Sequence, residues 1–293
     1  MTLSTPYSPL PWRDGWYNSF DGLKLYYRDY VPTEAANGKP ALLCLAGLSR
    51  NSRDFQRFAD IFGQQYRLIC PDYRGRGLSE WDPKWQNYQP QTYLEDIRHL
   101  LTILDLHHVV VIGISLGGIL GMALGAAAPS SLAGVFLNDV GPQVNAGGID
   151  RIIDLIGTDN PRTDWPDALA AIRQAMPELD KVPDAALTDL LEGTYRRRED
   201  GMLHVDWDTA IVQPIIKAKG VYPDLWPLYR TLTCIPLAGV RGGLSDVLTP
   251  ETFAEMAQQI PVADFRTIPG AGHVPPMTHP IVLEAVHGLL GRI

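Results

Sequence analysis

The stretch that most constrains this chain is Gly113-Ile114-Ser115-Leu116-Gly117-Gly118. It directly follows a dense apolar run, Val109–Ile112, and precedes a small-residue stretch, Ile119–Ala128. The order reads as strand, sharp turn and helix, with a serine at the apex. A turn this tight strains the backbone at the serine. Glycines two residues before and two after it remove side chains that would collide there. The serine oxygen is thereby presented at the edge of a sheet. The amide of Leu116, at the helix start, can point at a developing oxyanion.

A nucleophilic serine needs a base, and the chain offers seven histidines. His273 lies in Pro269-Gly270-Ala271-Gly272-His273-Val274-Pro275, after the last apolar run and before the last helical one. That puts it at the carboxyl end of the sheet, the edge that carries Ser115. His107 and His108 precede a strand and belong to the opposite edge, solvated. His99 and His287 fall within helices, His204 falls in a central segment, and His279 reads as a helix start before Pro280. The base in turn needs a carboxylate to fix its tautomer and stabilise the imidazolium. Asp246, in Arg241-Gly242-Gly243-Leu244-Ser245-Asp246, gives the chain order Ser, Asp, His and is the expected acid. Its rival is Asp139, at the same edge, which reads as a turn residue in Asn138-Asp139-Val140-Gly141-Pro142. A second oxyanion donor is expected from Ala46-Gly47-Leu48-Ser49-Arg50, where Gly47 lets the Leu48 amide turn toward the serine.

Around these residues, short apolar runs alternate with helical patterns, which implies a mostly parallel sheet covered on both faces. The strands read as Leu23–Tyr30, Ala41–Leu45, Tyr66–Cys70, Val109–Ile112, Ala133–Leu137, Pro236–Val240 and Phe265–Ile268. Thr92 and Glu95 read as a capping box, and Thr249-Pro250 as the start of another helix. From Gly141 to about Thr231 no strand is read. Ile149, Ile152, Ile153 and Ile156 share one helical face, as do Trp165, Leu169, Ile172 and Met176, then Leu187, Leu191 and Tyr195. The expected organisation is a core of residues 1–142 and 232–293, with a helical lid, 143–231, over the strand ends where such sheets bind ligands. Asp72-Tyr73-Arg74-Gly75-Arg76-Gly77-Leu78-Ser79 lacks the third glycine of a dinucleotide loop, so it reads as a structural turn in which Asp72 and Arg74 tie loops together. No metal-ligand spacing and no P-loop are found, and no cofactor is called for.

A net charge of −8 without a basic run argues against nucleic-acid binding. The first residues lack the pattern of a secretory signal, and no apolar stretch is long enough to span a membrane. Three scattered cysteines, Cys44, Cys70 and Cys234, read as buried free thiols in a reducing compartment, which implies a cytoplasmic protein.

Taken together, Ala46-Gly47-Leu48, Asp72 to Ser79, the turn at Ser115, Asp246 and Gly272-His273 resemble the lidded α/β-hydrolase family, over nearly the whole chain. They look like its bacterial carboxylesterases and enol-lactonases. The resemblance implies an α/β fold with a mostly parallel eight-stranded sheet, helices on both faces and a helical lid insertion. It also implies a serine esterase acting through an acyl-enzyme on a small-molecule ester or lactone. One departure is Ala46, where many relatives carry histidine; the donor is the later amide, so activity should survive it. Trp165, Met176, Tyr195 and Trp207 are candidates to shape an apolar substrate pocket. The same residues could serve a lactone, a carbon–carbon bond beside a ketone, or perhydrolysis. Relatives that act on halides or epoxides use an aspartate at the turn, and Ser115 argues against them. A ligand-binding receptor on the same scaffold is the rival from outside enzymology.

Overall fold

A computed structural model describes residues 8–32, 38–176, 179–180 and 182–293. Six strands come first: β1 (Arg13–Asn18), β2 (Lys24–Tyr30), β3 (Ala41–Leu45), β4 (Leu68–Pro71), β5 (Val109–Ile114) and β6 (Leu132–Asn138). Helices α1 (Gln56–Phe62), α2 (Pro90–Ile103) and α3 (Leu116–Ala127) lie between them. An insertion follows, with α4 (Ala146–Ile156), α5 (Trp165–Ala175), α6 (Asp184–Thr194), a hairpin of β7 (Tyr195–Arg197) and β8 (Leu203–Val205), then α7 (Gln213–Lys217) and α8 (Trp226–Arg230). The chain closes with β9 (Leu237–Gly242), α9 (Pro250–Gln259), β10 (Asp264–Ile268) and α10 (Pro280–Leu290).

Eight strands form one sheet in the order β1-β2-β4-β3-β5-β6-β9-β10. It is parallel from β4 to β10, and β2 pairs antiparallel with both β1 and β4. Every residue of β3, β5 and β6 is buried, which is why these segments are nearly continuous apolar runs rather than alternating ones. Successive side chains still point to opposite faces. Leu43, Val109, Val111 and Val135 pack with α2, α3 and α9, through residues such as Ile97, Leu120 and Met256. Leu42, Cys44, Val110, Ile112 and Phe136 pack with α1 and α10, through Phe58, Phe62, Val282 and Val286. Each such buried aliphatic or aromatic side chain contributes about 1.5–3 kcal/mol relative to exposure. The two covered faces leave the carboxyl rim of the sheet as the place where chemistry can sit.

Four expectations are corrected. The edge strand β1 is half-exposed and polar, so its sequence gives no dense apolar signal. The insertion is not all helical: β7 and β8 pair antiparallel, Tyr195 against Val205. Thr92 is not a cap, because α2 already starts at Pro90 with Gln89 as its N-cap residue. Cys44 and Cys70 are buried free thiols, whereas Cys234 is exposed. Thr249 does cap α9, accepting from Thr252 N, and His279 caps α10 through Nδ1. Asp72 binds the amides of Ser52 and Leu78, and the buried Arg74 binds Asp21, Asp82 and Asp96, so this segment is a structural tie. Among the described residues no helix is long and apolar enough to cross a membrane.

Polar contacts fasten the insertion to the core. Arg50 Nη1 donates to Thr194 Oγ1 at 2.6 Å, and Asn51 Nδ2 donates to Gly193 O at 3.0 Å. Asp206, buried just beyond β8, meets Arg53 and Arg196. Burial pushes its carboxyl up despite those two guanidinium groups. Removing either arginine would leave a buried carboxylate short of donors, the kind of change that costs several kcal/mol.

Candidate active site

Ser115 stands one residue beyond β5 with φ 49° and ψ −114°, a conformation that side-chain-bearing residues avoid. Close packing holds it there. A Cβ on Gly117 would lie 2.0 Å from Leu45 O, so only glycine lets the first turn of α3 press onto β3. The strain, about 1–3 kcal/mol in such cases, is sustained by this packing.

His273 lies in the loop after β10. Its Nε2 is 3.1 Å from Ser115 Oγ, and its Nδ1 is 2.6 Å from Asp139 Oδ2. The acid expected from the sequence, Asp246, is not there. Its carboxylate faces away, paired with Arg151 of α4 at 2.7 Å and 3.0 Å. The reason is register. Ile114 of β5 pairs with Asn138 of β6, so Ser115 and Asp139 are equivalent next residues on adjacent parallel strands. Asp246 comes four residues after β9 ends, in a loop that has already turned toward α4. Asp139 is itself in a left-handed conformation, φ 54°, which turns its side chain back under the end of β9. There it is fully buried and accepts from Gly242 N (2.8 Å), Ser245 Oγ (2.6 Å) and Val274 N (3.3 Å) as well as His273.

The Arg151 guanidinium, and more weakly His273, hold the Asp246 carboxyl below its ordinary value. Asp246 therefore adds negative charge near the imidazole without touching it.

The loop after β3 lies against the serine, since a Cβ on Gly47 would be 4.0 Å from Ser115 Cβ. Its carbonyls are tied down. Tyr73 Oη donates to Ala46 O (3.1 Å), Arg50 N to Gly47 O (3.1 Å) and Arg76 Nε to Leu48 O (2.8 Å). The amides of Leu48 and Leu116 have no protein acceptor among the described residues. Ala46 is fully buried beside Cys44 and Ile112 in the apolar core.

The four insertion residues expected near substrate are placed unevenly. Trp165 opens α5 and is 38% exposed. Met176 is half-buried against the core, and Tyr195 is buried at the start of β7. Trp207 is buried, and its indole N–H donates to Ile156 O, so it holds the insertion together. None of them hydrogen-bonds to Ser115, Asp139 or His273. Sequence reasoning missed Ser245 as a neighbour of Asp139 and Arg151 as the partner of Asp246. It ranked Asp139 second, although a carboxylate one residue beyond a buried strand, matching the serine, was the available signal.

Among the described residues no cluster of three or more His, Cys, Asp or Glu side chains is arranged to hold a metal ion.

Comparison with known proteins identifies the family. The model of the alpha/beta hydrolase family matches residues 42–286, and the chain belongs to that family. It is 31% identical to a 3-hydroxybutyrate-oligomer hydrolase of Cupriavidus necator, over 83% of this chain and 87% of that protein. It is 25% identical to a 2-(acetamidomethylene)succinate hydrolase of Mesorhizobium japonicum, over 84% of this chain and 86% of that protein. Among solved structures, an alpha/beta hydrolase from Novosphingobium aromaticivorans is 34% identical, with a TM-score of 0.90 over 96% of this chain and 99% of that one.

Proposed function

We propose that the protein hydrolyses carboxylic esters through Ser115, His273 and Asp139, with the amides of Leu48 and Leu116 as oxyanion donors. The observation that carries this is the unbroken chain Ser115 Oγ–His273–Asp139 at 3.1 Å and 2.6 Å, at the rim of the sheet. His273 Nε2 takes the serine proton as Oγ attacks the ester carbonyl, and Asp139 holds the imidazolium that forms. The carbonyl oxygen gains its negative charge beside two amides that have no protein acceptor among the described residues. Preorganised donors of this kind are worth about 3–4 kcal/mol each at the transition state. His273 then protonates the leaving alcohol, and the acyl group stays on Ser115. Water, deprotonated by the same imidazole, attacks the acyl carbon and releases the acid.

The residues 143–231 act as a cap over this rim. Support comes from α4: Asn145 N donates to Val247 O, Arg151 pairs with Asp246, and a Cβ on Gly148 would strike Asp246 O at 2.5 Å. The helix is therefore pressed onto the loop that carries Ser245 and Asp246. Esters of short hydroxy acids are the favoured substrates, by likeness to the oligomer hydrolase. The buried free thiols Cys44 and Cys70 favour a reducing, cytoplasmic setting.

The test is turnover of p-nitrophenyl acetate, p-nitrophenyl butyrate, a 3-hydroxybutyrate dimer and a small lactone. At least one ester should be cleaved faster than the lactone, with Ser115→Ala folded and inactive. Cleavage of none of them, or an undiminished rate in Ser115→Ala, overturns the proposal.

A further inference from the structure

We infer that Ser245 is a positioning residue of the triad: its hydroxyl donates to the Asp139 oxygen that faces His273 and tempers that carboxylate's grip on the imidazolium. The inference rests on the triad proposed above. Asp139 is an acceptor only, so at the 2.6 Å contact the proton belongs to Ser245 Oγ. The amides of Val247 (3.3 Å) and Leu248 (3.2 Å) point at the same oxygen and occupy its acceptor side. The hydroxyl has one orientation left, toward Asp139 Oδ2. That oxygen is also the one bound to His273 Nδ1. The serine is held in turn: Ser245 N donates to Gly242 O, and Ser245 O accepts from Arg241 Nη2. A hydroxyl so thoroughly oriented does more than fill space, because each donor to Oδ2 draws charge away from the side facing the ring.

Removing the hydroxyl leaves more negative charge on Oδ2 against the imidazole. The imidazolium then holds its proton more tightly, and the free base is available only at higher pH. The charged groups around the ring are Asp139 after β6 and Asp246 in the loop after β9, the latter paired with Arg151 of α4. Because Ser245 Oγ also ties down the amides beside Asp246, the same comparison is made in an Asp246→Asn background, where a shift that persists reports the hydroxyl.

The experiment compares the wild type with Ser245→Ala, Ser245→Cys and Ser245→Thr, by the pH profile of kcat/KM on the best ester and by NMR titration of the His273 ring. In Ser245→Ala the acid limb and the ring titration should both move up by about half a pH unit. Ser245→Cys, a weaker donor, should lie between, and Ser245→Thr should restore both readouts. If Ser245→Ala does not fold, the cysteine and threonine variants carry the same comparison. An unmoved ring titration in the alanine or cysteine variant overturns the inference, even if kcat falls with Tm. A wild type that cleaves no ester overturns the proposed function instead, and the NMR titration still decides the role of Ser245.

Discussion

Asp139 and Asp246 leave neighbouring parallel strands at the same rim, yet they live in opposite environments. The side chain of Asp139 is 0% exposed, and that of Asp246 is 42% exposed. Asp139 has four hydrogen-bonding donors, three of them on the oxygen that meets His273. Asp246 has a single partner group, an arginine from the insertion that is itself 45% exposed. Charge and distance from the strand end are therefore not what makes an acid useful to a histidine. Burial among donors is, because it fixes the orientation of the carboxylate and leaves its attraction for an imidazolium little screened by water.

This contrast can be broken by exchanging the two roles in experiments. The largest effect should come from Asp139→Asn, which keeps the shape and removes the charge. Its kcat should fall about ten-thousand-fold on any ester the wild type cleaves, while KM changes little. A loss no greater than that of Asp246→Asn would show that Asp246 takes over the task. Asp246→Asn should leave kcat within about threefold of wild type and cost ~0–1 kcal/mol of stability, the range of an exposed pair. That loss, read by urea unfolding, should shrink as sodium chloride is raised. A salt-independent loss of several kcal/mol would mean that the pair is buried in solution.

The smallest effect is in acid. The folded carboxyl of Asp246 lies below the ordinary 3.8, so its stabilisation is fully present above that value and disappears as pH falls through the folded one. The stability difference between wild type and Asp246→Asn should be flat from neutral pH to about pH 5 and close below about pH 4. A difference that grows in acid would reverse the sign assigned to the Arg151 contact.

The same contrast explains what was legible in the sequence. The buried strands β3, β5 and β6 announce themselves, because burial on both faces demands unbroken apolar runs. The turn at Ser115 is equally plain, since close packing admits only glycine around it. His273 follows from its place after the last strand. The proposed acid does not, because chain order is satisfied by Asp139 and Asp246 alike. Choosing between them needs the β5–β6 register and the left-handed turn at residue 139, which are properties of the assembled sheet. The hairpin of β7 and β8 is hidden for a different reason. Its strands have three residues each, too short to show a period, and Tyr195 falls in helical register with Leu187 and Leu191. The edge strand β1 is masked by Arg13, Asp14 and Gly15, residues that a half-exposed strand tolerates.

Three non-glycine residues with positive φ, Ser115, Asp139 and Val274, cluster where the proposed nucleophile, acid and base meet. Each belongs to a different loop, and hydrogen bonds link them: Ser115 N donates to Asn138 O, and Val274 N donates to Asp139 Oδ2. The reacting groups thus sit on a cocked mechanism: relaxation of any one loop releases the others. Heat should be felt here before it is felt in the sheet, so activity should be lost at a temperature below the one at which the core melts.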